Sequence, residues 1–340
     1  MSTPRRTGRS RIVPRGLAAL VVGLLPALPA CSGGHAPVAG ATPLADGGLP
    51  RETGADAAPH APLSFSSRPL DAPPTYLGTL DDGAACATRY RTAGFGPDAP
   101  ASGATRHPLF LYFAGTTFLT GDVSSSYTSE ASRAVTEAMA RRGFVALSVE
   151  YDNGPTAWLS DHENQLACLF GAANAESLIA VACTLPGVDC DQGIATWGHS
   201  QGALVADLAS RTEPRVRAAW TTGYGGDART GLPRERFRLV NAEGDTSNAL
   251  VPGLNGTACF TAAECPDDGR KECLRADGSG WILVTKADCQ VSSADHCWFD
   301  KKTCADGPET LEPTWVDPHS RKSYGLENNA DWMAKTAARQ

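Results

Sequence analysis

Apolar residues fall along the chain in three regimes. The first is one block, Leu17 to Leu28, behind Arg5, Arg6, Arg9, Arg11 and Arg15. A block that short does not comfortably span a bilayer, and with a basic stretch before it the pattern is that of an export signal. The second regime, residues 32 to 74, is rich in Ala, Gly and Pro, has few large apolar side chains and shows no period. Such a segment buries too little surface to offset its ordering entropy, so it reads as a disordered tether. The third, residues 75 to 340, alternates solid apolar runs with stretches of helical spacing. The continuous apolar runs Leu109–Ala114 and Phe144–Val149 predict buried strands, the first covered on both faces; Ile194–Trp197, Val216–Thr222, Phe237–Ala242 and Trp281–Thr285 predict further strands, and Ala87–Phe95 an earlier one. Helices are predicted over Ser129–Arg142, residues 161 to 182, the stretch from Ala203 to Ala209, and Asn328–Ala338. Strand and helix in alternation mean an α/β fold with a mostly parallel sheet, and a segment of this size suits one domain. No internal repeat is evident.

Between the run Ile194–Trp197 and the apolar helix from Ala203 stands Gly198-His199-Ser200-Gln201-Gly202. Strand, glycine-bracketed serine and helix make a nucleophile elbow, in which the serine takes a strained conformation at the apex and larger side chains at the glycines would clash. The competing reading is an ordinary turn with an incidental serine. From about residue 105 onward the chain resembles the α/β-hydrolase superfamily of serine esterases and lipases. That resemblance implies a central sheet flanked by helices, a nucleophile at Ser200, and an oxyanion hole made by the backbone N–H of Gln201 and one from the loop after Leu109–Ala114. In the family this loop often follows a His-Gly pair; Ala114 stands in the histidine's place here, and Thr116 takes the donor role, with Thr117 as its alternate. Threonines capping a helix in a plain βα turn would look the same.

The resemblance also places an acid beyond Phe237–Ala242, where Asp245 sits in Glu243-Gly244-Asp245 with Glu243 as second choice, and a histidine after the last strand. His296 meets that order and His319, in Asp317-Pro318-His319, is the alternative; loop acids and loop histidines are otherwise ordinary solvated groups. His199 lies inside the elbow and is set aside as a base. Thr117, Tyr151 and Trp158, on loops at the carboxyl end of the sheet, are candidate substrate contacts, with packing the competing role for the two aromatics.

Composition refines the address. Leu28-Pro29-Ala30-Cys31 resembles the lipobox of bacterial lipoproteins, which implies lipid on Cys31, with ordinary signal cleavage as the alternative. Eleven cysteines less Cys31 leave an even ten, and without a close Cys-x-x-Cys pair disulfides in an oxidising compartment are favoured over zinc. Cys259, Cys265, Cys273, Cys289, Cys297 and Cys304 crowd an insert at about 255 to 305, read as a stapled cap, and six cysteines allow 15 pairings. Cys168, Cys183 and Cys190 flank the approach to the elbow strand. Without residues 1 to 31 the chain has 25 basic and 37 acidic side chains, a formal charge of −12, which disfavours nucleic-acid backbones.

These readings together lead to the expectation of a monomeric, exported serine carboxylic-ester hydrolase, held at an outer membrane or cell surface or released, acting on a small-molecule or polymeric ester without metal or organic cofactor. A lipase, polyester-depolymerising enzyme or peptidase would use the same triad. A non-catalytic envelope protein that kept the fold as a binding module is the alternative of a different class.

Overall fold

The computed structural model describes residues 65–71, 73–77, 89–98, 105–116, 126–154, 162–171, 174–223, 231–245, 272–285, 296 and 325–338. The export signal, Cys31, the tether up to residue 64, Thr117, Trp158, His319 and the insert apart from Cys273, residues 272 to 285 and His296 lie outside the described residues.

Among the described residues, ten strands form one sheet: β1 (Ser67–Pro69), β2 (Thr75–Tyr76), β3 (Tyr90–Pro97), β4 (Leu109–Phe113), β5 (Val145–Val149), β6 (Ile194–His199), β7 (Val216–Thr222), β8 (Phe237–Ala242), β9 (Glu272–Leu274) and β10 (Gly280–Val284). Their spatial order is β1-β3-β5-β4-β6-β7-β8-β10-β9, with β2 paired to β3. From β5 to β10 every neighbour is parallel, while β1, β2 and β3 at one edge and β9 at the other are antiparallel. The solid apolar runs become the parallel strands because a strand covered on both faces needs apolar residues at every position. All five residues of β4 and of β5 are buried.

Five α-helices among the described residues cover the sheet: α1 (Glu130–Ala140), α2 (His162–Phe170), α3 (Leu178–Ala182), α4 (Gln201–Thr212) and α5 (Leu326–Ala337). Alternation along β4 splits the core. Leu109, Leu111 and Phe113 face one layer with Leu166 of α2, Leu178 of α3 and Leu204 and Leu208 of α4. Phe110 and Tyr112 face the other, with Val135 and Met139 of α1 and Trp332 and Met333 of α5. In that second layer the rings of Trp197 and Trp220 stack at 4.1 Å and 6°, tying β6 to β7. An aromatic pair of this kind adds about 0.5–1.5 kcal/mol beyond its buried area. The result is a mixed, mostly parallel sheet between two helical layers, as the sequence predicts.

Three expectations change. The tether predicted over residues 32 to 74 gives way before its end, since Ser67–Pro69 pairs antiparallel with Phe95–Pro97 as β1 and Phe65 packs edge-on against His107. The helix predicted over residues 161 to 182 is two helices, α2 and α3. Glu176 N–H donates to Asn174 Oδ1, and Ser177 starts α3 afresh by capping the N–H of Ala180; a side chain competing for backbone groups interrupts an otherwise periodic stretch. At the other edge β9 pairs antiparallel with β10, a strand too short to show a period. Cys183 and Cys190 are bridged, closing the loop ahead of β6, and Cys168 and Cys273 also lie in disulfides.

Candidate active site

The order of strands reverses between β4 and β6, because the chain lays β5 on one side of β4 and then crosses to place β6 on the other. In open α/β sheets the carboxyl ends of strands at such a point form a crevice. Gly115 and Thr116 follow β4 there, and Ser200 follows β6.

Ser200 has φ 55° and ψ −119°, the one positive φ outside glycine among the described residues. Its N–H donates to Thr222 O at 2.8 Å, and its own carbonyl accepts from Ala203 N–H at 3.0 Å, so strand and helix grip the residue from both sides. The two flanking glycines are required by close approach. A Cβ on Gly198 would run into the carbonyl of Gly202, and one on Gly202 into the carbonyls of Phe113 and Ala114. The turn is sharp enough to hold the serine's hydroxyl out of the sheet, half-buried, at a cost of about 1–3 kcal/mol of backbone strain.

Ninety-six positions further along the chain, the imidazole of His296 reaches this hydroxyl, with Nε2 2.8 Å from Ser200 Oγ. Its Nδ1 lies 2.8 Å from Asp245 Oδ2. Asp245 and His296 are only 5% and 4% exposed. Glu243, by contrast, faces solvent, its N–H spent on Val284 O. The turn after β8 therefore carries one carboxylate outward and one inward, and the inward one meets the histidine.

The loop after β4 is pinned at three successive residues. Tyr151 donates its hydroxyl to Ala114 O at 2.7 Å, Asn153 donates its amide to Gly115 O at 2.6 Å, and the Thr116 hydroxyl donates to Gln201 Oε1 at 3.0 Å. Gly115 rests on the elbow, since a Cβ there would stand 3.2 Å from Ser200 Cβ. Gln201 is the first residue of α4, where backbone N–H groups have no intrahelical acceptor. Tyr151, a candidate substrate contact from the sequence, lies instead beneath the loop, 5% exposed with its hydroxyl engaged. Burial, then the neighbouring Tyr112 and Asp152, push its ionisation well above the usual tyrosine range. Asn153 was not singled out by sequence; an amide four residues past a buried strand is too common a feature to signal a role.

His199 also belongs to the site. Set aside as a base in the sequence because it lies inside the elbow, it is buried with its ring 5.0 Å from that of His296. Burial first, and the neighbouring His296 second, hold its protonation well below the ordinary histidine range, against a smaller opposing effect from its hydrogen bond to Thr222. Among the described residues no group of three His, Cys, Asp or Glu side chains is placed to hold a metal ion, and no helix is long and apolar enough to cross a membrane. A separate cleft of about 600 Å³ opens beside Phe65, His107, Gly143 and Arg217, and none of Ser200, Asp245 and His296 lines it.

No family model matches the sequence, and no curated protein does. Among solved structures, a PEG-bound cold-adapted esterase from an Arctic intertidal metagenomic library aligns over 80% of this chain and 99% of its own at 12% identity and TM-score 0.43. A Xanthomonas campestris α/β serine hydrolase without a lid aligns over 72% and 94% at 13% identity and TM-score 0.39. A hypothetical protein from Pseudomonas aeruginosa matches at 17% identity and TM-score 0.31 over 50% of this chain, which spans only 46% of that protein's length. Likenesses this distant say nothing about substrate, and the reading of the site rests on its own geometry.

Proposed function

We propose that this protein is a serine carboxylic-ester hydrolase in which Ser200 is the nucleophile, His296 the base and Asp245 its orienting acid. The observation that carries the reading is the unbroken line from Asp245 through His296 to a serine held at positive φ on a strand–helix turn.

A carboxylate only accepts hydrogen bonds, so with Asp245 opposite Nδ1 the imidazole carries its proton there and presents the lone pair of Nε2 to the serine hydroxyl. As Ser200 Oγ bonds to the ester carbonyl carbon, its proton passes to Nε2, and Asp245 steadies the imidazolium. The carbonyl oxygen gains negative charge, which the N–H groups of Gln201 and Thr116 receive; one such donor is worth about 2.7–4 kcal/mol where it has been removed. Nε2 then returns the proton to the departing alcohol oxygen as the carbon–oxygen bond breaks, leaving an acyl-serine. Water attacks that acyl group with His296 again as base, releasing the acid and restoring the hydroxyl. Every group needed is a side chain or a backbone amide of this chain.

Labelling with a fluorophosphonate and hydrolysis of a chain-length series of nitrophenyl esters test the proposal. Native protein should be labelled and should turn over at least one ester, and Ser200→Ala should do neither. Native protein that resists the label, or a Ser200→Ala variant labelled as fast as native, would show that this serine is not a nucleophile.

A further inference from the structure

The triad chemistry has no task for His199, although its ring packs against that of the base. His199 ends β6, next to Ser200, and its ring lies at 40° to that of His296 with centroids 5.0 Å apart. It is itself firmly held. Thr222 Oγ1 donates to Gly198 O at 3.3 Å and lies 3.1 Å from His199 Nδ1. Gly115 backs the ring at Cδ2, where a Cβ would come within 3.2 Å. Gly223, at φ +70°, marks the seam between the two imidazoles: a Cβ there would stand 2.8 Å from His199 Cε1 and 3.0 Å from His296 Cε1. His199 Nε2 is buried with no hydrogen-bond partner among the described residues.

Hydrogen bonds at Nδ1 and Nε2 fix two points of the His296 ring. They leave it free to rock about the line joining those points, and rocking spoils both hydrogen-bond angles together. A flat neighbour against the ring face removes that freedom. The neighbour must also be uncharged, because a cation there would oppose the imidazolium that forms during reaction, and burial keeps His199 neutral. Among the described residues, Asp245 meets His296 at Nδ1, while the ends of β4 and β7 bring Gly115, Thr222 and Gly223 to the ring pair, none of them ionisable.

We infer that His199, with Gly223 at the seam, is a positioning residue for His296: its neutral ring is the wall that keeps the base aligned with Ser200 and Asp245 at once. The inference rests on the triad proposed above and adds a part to it.

Three substitutions separate the wall from the nitrogen chemistry of the residue. His199→Ala removes the ring, His199→Leu fills the volume without a flat face, and His199→Phe restores a flat ring without nitrogen. The expected result is that Ala and Leu lower kcat and the fluorophosphonate labelling rate by about 10–100-fold, the scale of a misplaced catalytic group, with KM nearly unchanged. His199→Phe should recover most of that loss, and Gly223→Ala, which pushes on both rings, should behave like His199→Ala. Proton NMR supplies a readout that needs no turnover, through the downfield resonance of the proton between His296 and Asp245. It should persist in His199→Phe and broaden or vanish in Ala and Leu while thermal melts show all variants folded. Ala and Leu variants with native kcat and an undisturbed resonance would overturn the inference, as would a Phe variant as slow as Ala. A native protein that takes no label refutes the hydrolase reading instead, and the resonance still decides whether His199 aligns His296.

Discussion

Asp245 and Glu243 sit two residues apart on one turn, and only their burial tells them apart. If Asp245 holds the His296 tautomer, Asp245→Asn should lower kcat by about 10⁴, as in the template for this chemistry, without unfolding the protein. Glu243→Gln should leave kcat within about twofold, the usual outcome for a solvated side chain away from the chemistry. Steady-state kinetics on the two variants, with a thermal melt for each, checks this pair. Two histidines, His107 and His199, also bear on stability, the second besides its proposed part in aligning His296. His107 is held below its ordinary range by burial, against a smaller opposite effect of its hydrogen bond with Gly143 O, and His199 is held further below. Folded chains bind fewer protons at both sites than unfolded ones once pH falls below about 6.5, so stability should drop with acidification through that range. Melting temperatures between pH 7.5 and 5.5 should fall, and His199→Phe should flatten the slope; an unchanged slope would mean that His199 takes up its proton in the fold.

At the scale of elements, Ala114, Gly115 and Thr116 after β4 lie outside any helix or strand, and the side chains of Tyr151, Asn153 and Gln201 hold them. A hydrogen-bond donor works as an oxyanion ligand only when it is already aimed, so loosening the loop should cost rate more than affinity. Tyr151→Phe combined with Asn153→Ala should lower kcat about tenfold with KM little changed, and burst kinetics would place the loss in acylation. Equal kcat in variant and native protein would mean that Thr116 needs no such bracing. Strand and helix types here were legible because the parallel strands are mostly apolar runs, β4 without a break, and each long helix has one apolar side. The break between α2 and α3 was not, since Asn174 and Ser177 interrupt the helix by hydrogen bonds that leave the apolar spacing intact. The short strand β9 gave no pattern to read.

Over the whole molecule, the sheet gives the chain a candidate site, and we propose that residues 1 to 31 give it an address. The proposal that Cys31 carries lipid predicts that radiolabelled palmitate enters the protein expressed in a Gram-negative host, and that Cys31→Ala abolishes both label and membrane fractionation while leaving ester hydrolysis intact. Equal fractionation of native and variant protein would place cleavage and release ahead of anchoring.

Local sequence sufficed for the elbow, because a strand, two small residues and a helix are dictated by sterics over a few neighbours: Gly198 and Gly202 are where any side chain would strike a carbonyl. It also sufficed for the alternation of elements, since burial on two faces demands apolar residues without a gap. Chain order narrowed the acid and the base to a few loop residues. Only the folded sheet decided which carboxylate turns inward, that the His296 ring spans the gap between Asp245 and Ser200, and that Tyr151 supports a loop from beneath. Those relations join residues tens of positions apart, and one residue's rotation on a turn, which no local pattern encodes, separates a buried partner from a solvated one. The place of His199 has the same origin: its neighbour along the chain is Ser200, but its neighbour in space is a ring 97 positions away.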